Sequence, residues 1–184
     1  MRVITGTARG RKLQEPSGMD IRPTADVVKE AVFNIIQFDI EGRRVLDLFA
    51  GTGQLGIEAL SRGAAECVFV DESRDALKIV SENLSRCKLE GRVMQSDGPG
   101  YLERGGKFDI IFLDPPYAEK SLETAIQRLS EIDILSDGGI IITERPLGKP
   151  LAEEFPGLTR SKDYHYGKTT ITLLRKTGAG GGND

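Results

Sequence analysis

The sequence predicts an α/β fold: a mostly parallel sheet flanked by helices, entered through a short basic hairpin and one helix. Strand-like runs alternate with helical segments from Arg44 onward, which is the rhythm of parallel strands joined by crossover helices. Four acids, Asp47, Asp71, Asp97 and Asp114, close or follow successive runs. The chain ends in two runs separated only by Gly167-Lys168, a tight turn that makes the last pair antiparallel.

Each element follows from local residues. Residues 1–14 read as a hairpin or paired strands, with Gly6 and Gly10 bracketing the turn. Thr24, after Pro23, is a suitable N-cap for a helix with Asp26 in its first turn and an apolar stripe of Val28, Ala31, Val32, Ile35 and Ile36. Strands are expected at Arg44–Leu48, Cys67–Val70, Arg92–Gln95, Phe108–Leu113 and Ile140–Thr143, with helices near 55–62, 73–86, 98–104 and 119–130. Leu122, Ala125, Ile126 and Leu129 show the helical period of the last. The closing hairpin pairs Leu158–Tyr166 with Thr169–Leu174. Glycines dominate Thr177–Asp184, an expected disordered tail. The expectation is one domain over 1–176, with 1–23 a basic extension and 24–176 the core.

Composition narrows the function classes. No apolar run approaches the ~18 residues needed to cross a bilayer, so a cytoplasmic location is expected. Cys67 and Cys87 lack CxxC spacing and histidine neighbours, and His165 is the single histidine, so neither a disulfide framework nor a zinc site is expected. A net charge of −3 argues against coating nucleic acid with the whole surface. A local patch is still available, because residues 1–12 carry Arg2, Arg9, Arg11 and Lys12 without an acid, and Arg22 and Lys29 follow.

Gly51-Thr52-Gly53-Gln54-Leu55-Gly56 matches the GxGxxG dinucleotide fingerprint and follows the first strand. Asp47, within Asp47-Leu48-Phe49-Ala50-Gly51, would face whatever that loop holds. A dinucleotide presents a pyrophosphate there, which a carboxylate repels, whereas S-adenosylmethionine presents an ammonium and a sulfonium, which it attracts. Asp71 is placed for ribose hydroxyls and Asp97 for the adenine amine.

Asp114-Pro115-Pro116-Tyr117 closes the run Phe108–Leu113 with a carboxylate, two residues without N–H groups and an aromatic ring. The prolines end strand pairing and free local carbonyls as acceptors. An aromatic face can stack a base while a carboxylate and a carbonyl take the hydrogens of its exocyclic amine. Metal is not required for that chemistry. Glu144, at the end of the fifth strand, lines the pocket, caps a helix or lies on the surface.

In these motifs the sequence resembles the RsmD-type 16S rRNA guanine-N2 methyltransferases, of the Rossmann-like class I methyltransferase fold. The carriers are Arg9-Gly10-Arg11-Lys12-Leu13, Arg22-Pro23-Thr24, Glu30-Ala31-Val32-Phe33-Asn34-Ile35, Asp47 to Gly53, Glu58-Ala59-Leu60-Ser61-Arg62-Gly63 and Asp114 to Tyr117. The resemblance covers residues 1 to about 175. It implies a seven-stranded sheet with an antiparallel last strand, and S-adenosylmethionine held by Asp47, Phe49, Ala50, Gly51, Gly53, Asp71, Glu72, Asp97 and Gly98. It also implies a guanine held by Asp114, Pro115 and Tyr117, with Arg9, Arg11, Lys12 and Arg22 on RNA. The implied partner is 16S rRNA within a small-subunit particle, with the enzyme a monomer. Three positions depart from the family pattern: Val27 replaces a usual basic residue and Lys29 a common arginine, which affects an expected phosphate contact, and Asp71 stands where many members have glutamate, which shortens the ribose contact without changing its sense. The alternatives from the residues are an N6-adenine DNA methyltransferase, an NAD-dependent oxidoreductase and a noncatalytic RNA-binding assembly factor.

Overall fold

The computed structural model describes residues 1–16, 23–103, 106–115 and 121–177. Its elements are α1 (Pro23–Ile35), β1 (Arg44–Leu48), α2 (Gln54–Ser61), β2 (Glu66–Asp71), α3 (Arg74–Cys87), β3 (Arg92–Gln95), α4 (Gly98–Leu102), β4 (Phe108–Leu113), α5 (Ser121–Glu131), β5 (Leu135–Pro146), β6 (Leu158–Tyr166) and β7 (Thr169–Lys176). The seven strands form one sheet in the order β3-β2-β1-β4-β5-β7-β6. β1 to β5 pair in parallel, and β7 runs antiparallel to both its neighbours. The expected seven-stranded sheet and its reversed last strand are therefore present.

Alternation along the strands sorts two cores onto opposite sheet faces. Val45, Ile110, Phe112, Ile142 and Ile171 face α1, α2, α3 and the N-terminal segment, while Leu46, Leu48, Ile111, Leu113 and Ile141 face α4 and α5. Phe33 of α1 and Phe112 of β4 meet with ring centroids 5.6 Å apart at 57°, a tilted contact that adds about 0.5–1.5 kcal/mol beyond burial. Ser73 caps α3 by accepting from Ala76 N at 3.2 Å, and Lys88 ends it in the left-handed region.

Several expectations are corrected. Thr24 is not an N-cap, because α1 already includes Pro23, whose fixed φ suits the first helical position. β5 is much longer than Ile140–Thr143: it begins at Leu135 and passes through Gly138 (φ 71), a turn-like sequence absorbed at an irregularity of its pairing with β4. Thr177 belongs to the ordered chain, with its N–H donated to Gly157 O at 2.9 Å, and the rest of the expected tail lies outside the described residues.

The N-terminal segment is hairpin-like, although its ladder is a single bridge between Arg2 and Lys12. Side chains of the core hold it instead. Glu58, fully buried on α2, accepts from Ile4 N at 2.8 Å and Thr5 N at 3.0 Å and pairs with Arg62 at 2.8 Å. Ser61 donates to Thr5 O at 2.6 Å and accepts from Ala8 N at 3.0 Å. Gly6 has φ +85, and a Cβ there would lie 1.7 Å from Ser61 O, so only glycine allows this seating. Lys29 leaves the expected basic patch: it is buried, donates to Arg2 O at 2.6 Å and pairs with Asp26 at 3.9 Å. Burial lowers its pKa, the expected direction for an ammonium withdrawn from water.

Candidate active site

The carboxyl ends of β1, β2, β3 and β4 lie side by side, so the acids that end or follow these strands gather at one rim. Asp47 is 3% exposed and lies beneath the glycine loop, not open within it, because its Oδ2 accepts from Gly56 N at 2.9 Å. Burial pushes its carboxyl up to about 7, opposed by the Gly56 hydrogen bond and reinforced by Asp114 and Asp71. Asp71 latches the loop from the other side, accepting from Gly51 N and Ser73 N, both at 2.9 Å. Glu72 is exposed beside it.

The loop is bent by backbone that few residues tolerate. Phe49 has φ 72, Gly51 φ 53 and Gly53 φ 76, and Phe49 N and Ala50 N both donate to Val70 O. Gly56 permits close packing: a Cβ there would lie 2.3 Å from the Phe69 ring and 2.6 Å from Cys67 Sγ. Asp97 is exposed and caps α4 by accepting from Gly100 N at 2.9 Å, which leaves its second oxygen for another partner. Gly98 admits the Phe49 ring, which would be 2.7 Å from a Cβ. Phe49, Gly98, Pro99, Leu102 and Ala125 line a cleft of about 410 Å³ between α4 and α5.

Asp114 and Pro115 follow β4 directly, with Asp114 exposed and Pro115 buried. Protein crowding around the Asp114 carboxyl pushes it up to about 6, although its open side keeps it in contact with water. Glu144, half-buried near the end of β5, is pushed up to about 8 by burial and by the Asp114 charge. Tyr117 and Arg22 lie outside the described residues. His165 is on the β6 hairpin with Nδ1 3.1 Å from Thr170 Oγ1. Cys67 and Cys87 are buried free thiols, and no cluster able to hold a metal occurs among the described residues.

The basic residues do not gather at this rim. Arg9 and Arg11 are exposed in the turn held by Ser61, the last residue of α2. That helix has eight residues, so the turn is seated about 12 Å from the glycine loop. Lys12 bridges back toward Arg2.

Two residues unremarked in the sequence complete the site. Gln54, the first residue of α2, has its Oε1 buried with no partner among the described residues, leaving an unused acceptor beside the glycine loop. Asn83, fully buried on α3, donates to Thr52 O and Gln14 O, both at 3.1 Å, and accepts from Gln14 N at 2.6 Å. One side chain thus ties the N-terminal segment to the loop. A polar residue in an otherwise amphipathic helix was the available signal.

The rim fits a cationic ligand with a planar apolar part: its converging acids and the Gln54 acceptor suit positive charge, and the Phe49–Gly98 cleft suits a ring. No helix among the described residues is long and apolar enough to cross a membrane. The chain matches the family profile described as Conserved hypothetical protein 95 over residues 1–175. It is 40% identical over 184 residues to "Putative rRNA methyltransferase YlbH" of Bacillus subtilis (strain 168), covering 97% of this chain and 100% of that one. It is 38% identical over 146 residues to "Ribosomal RNA small subunit methyltransferase D" of Escherichia coli (strain K12), covering 78% of this chain and 74% of that one. The solved structure of "Putative methyltransferase yhhF" from Escherichia coli superposes with a TM-score of 0.86 at 34% identity, covering 96% of this chain and 97% of that one. With a family profile matched over residues 1–175 and relatives at 38–40% identity, the chain belongs to the Conserved hypothetical protein 95 family, that of the RsmD methyltransferases.

Proposed function

We propose that the protein transfers a methyl group from S-adenosylmethionine to the exocyclic N2 amine of a guanine in small-subunit ribosomal RNA. The observation that carries this reading is the rim itself: Asp114 stands exposed beside a glycine loop underlain by the buried Asp47, with the Gln54 oxygen unpaired among the described residues. S-adenosylmethionine supplies an electrophilic methyl on a sulfonium. Asp47 and the Gln54 oxygen attract its positive charge, Asp71 and Glu72 face the ribose, and Asp97 with Gly98 and Phe49 holds the adenine.

The guanine N2 is a weak nucleophile because its lone pair is delocalised into the ring. Asp114 and the Pro115 carbonyl accept the two amine hydrogens, which favours a pyramidal nitrogen with its lone pair aimed at the methyl. Asp114 also offsets the positive charge that develops on nitrogen, and the amine then sheds one proton. Tyr117 stacks the base. A paired base is out of reach, so the target guanine is unpaired or flipped out. Arg9, Arg11 and Lys12, a helix length away, hold phosphates flanking the target, with Arg22 a further contact. The RNA is presented as part of a small-subunit particle, the enzyme acting as a monomer.

The literal GxGxxG also admits a nicotinamide dinucleotide. The Asp47 carboxylate beneath the loop opposes the pyrophosphate that such a ligand would bring there. Calorimetric titration of the protein with S-adenosylmethionine and with NAD separates the two, and binding of NAD alone would overturn the proposal.

A further inference from the structure

The sheet register sets a second carboxylate beside the first. β4 and β5 are parallel with Leu113 opposite Thr143 on strands about 4.8 Å apart, so Asp114, just past the end of β4, follows beside Glu144 of β5. Phe112 and Ile142, two residues earlier, both point into the core under α1, α2 and α3. Period-two alternation therefore turns Glu144 toward that same face, and Asp114, the first residue past β4, lies close enough for its charge to act on Glu144.

Glu144 is held firmly in this position. β5 continues to Pro146, and the β7 residue paired with Glu144 is the fully buried Ile171. Its neighbour Arg145 sends its guanidinium elsewhere, to Lys149 O at 2.7 Å and to Asp163 at 2.5 Å. Among the described residues no side chain or backbone N–H donates to the Glu144 carboxylate. A half-buried carboxylate next to another one, with no donor of its own, is costly unless a ligand supplies the donor.

Guanine has that donor. Its Watson–Crick edge carries three hydrogens, one on N1 and two on N2. In the proposed function, on which this inference rests, Asp114 and the Pro115 carbonyl take the N2 hydrogens and leave N1–H without a partner. Adenine presents the opposite pattern, an N1 lone pair beside its amine, which a carboxylate repels.

We infer that Glu144 reads the base, accepting the N1 hydrogen of guanine while Asp114 holds the N2 amine, and thereby selects guanine over bases with an N1 lone pair. The same contact supports the reaction, because a carboxylate held at N1–H is also close to N2, where positive charge develops as the methyl arrives.

The test replaces the guanosine that the wild-type enzyme methylates with 2,6-diaminopurine riboside, introduced by splinted ligation. This base keeps the N2 amine but has a lone pair at N1. Single-turnover methyl transfer and equilibrium binding of the S-adenosylhomocysteine complex are measured on both RNAs, for wild type, Glu144→Gln and Glu144→Asp. At pH 8.5, above the value of about 8 for Glu144, wild type is expected to prefer guanosine by about 100-fold or more, since a site built around a donor rejects the analogue lacking it. In Glu144→Gln the amide can donate to the N1 lone pair, so the preference falls to about 10-fold or less. Glu144→Asp keeps the preference at a lower rate. Affinity for S-adenosylhomocysteine stays near wild type in both variants and neither melts below wild type, which shows that the fold and cofactor site are intact. An unchanged preference in Glu144→Gln overturns the role of Glu144 and leaves the proposed function standing. A wild-type enzyme that labels no guanosine overturns the proposed function, and this inference with it.

Discussion

Asp47 accepts a hydrogen bond from the Gly56 amide at 2.9 Å from beneath the glycine loop, so the acid nearest the proposed cofactor charge also fixes the loop. Its carboxyl is held at about 7 against an ordinary 3.8. A carboxyl with a raised folded value binds its proton more tightly when folded, so the ligand-free protein loses stability as pH rises from about 4 to about 7. The loss from this group is at most on the order of 4 kcal/mol, at roughly 1.4 kcal/mol per pKa unit. Asp114 and Glu144 act in the same direction. Thermal melts between pH 5 and pH 8 should show the fall. Asp47→Asn should raise the melting temperature at pH 8 but not at pH 5, and should lose affinity for S-adenosylmethionine.

Asp114→Ala should reduce methyl transfer by about 100-fold or more while leaving S-adenosylmethionine affinity within a few-fold, because its contacts are to the amine and not to the cofactor. Calorimetry and single-turnover rates measured on the same preparation give both numbers. Near-normal turnover would remove Asp114 from the reaction.

Asn83→Ala should strip partners from Gln14 and Thr52 together and destabilise the protein by about 2–3 kcal/mol, the cost of leaving buried polar groups unpaired. Urea denaturation measures the stability. Cofactor affinity should fall as well, since Thr52 is part of the loop. A variant with lowered stability and unaltered affinity would show that the tether does not shape the loop.

Substitution of Arg9, Arg11 and Lys12 by alanine should weaken RNA binding and flatten its salt dependence. If all three meet phosphates of unpaired RNA, the slope of log K against log salt should fall by about 2, at roughly 0.7 per contact. Equal affinities and equal slopes would assign these residues to solvent.

Much of this architecture is legible in the sequence because parallel strands and ligand loops have local signatures. The apolar runs and the acids at their ends locate β1 to β4 and the rim. Gly167-Lys168 announces the terminal hairpin. Long-range partners are not legible, since no local pattern says that Glu58 will take Ile4 and Thr5, or that Lys29 will be buried against Arg2. The start of β5 is hidden for a related reason: Ser136-Asp137-Gly138-Gly139 has turn composition, and only pairing with β4 extends it as strand. The distance of Arg9 and Arg11 from the rim likewise follows from where Ser61 lies on α2 and not from the charge of the segment.

The most direct measurement is transfer of labelled methyl from S-adenosylmethionine into small-subunit particles, naked rRNA and duplex DNA, followed by digestion and identification of the labelled nucleoside. The account predicts label in N2-methylguanosine from RNA, with particles preferred, and none from Asp114→Ala. Label in N6-methyladenine from DNA, or none in any polymer from a protein that binds S-adenosylmethionine, would contradict it.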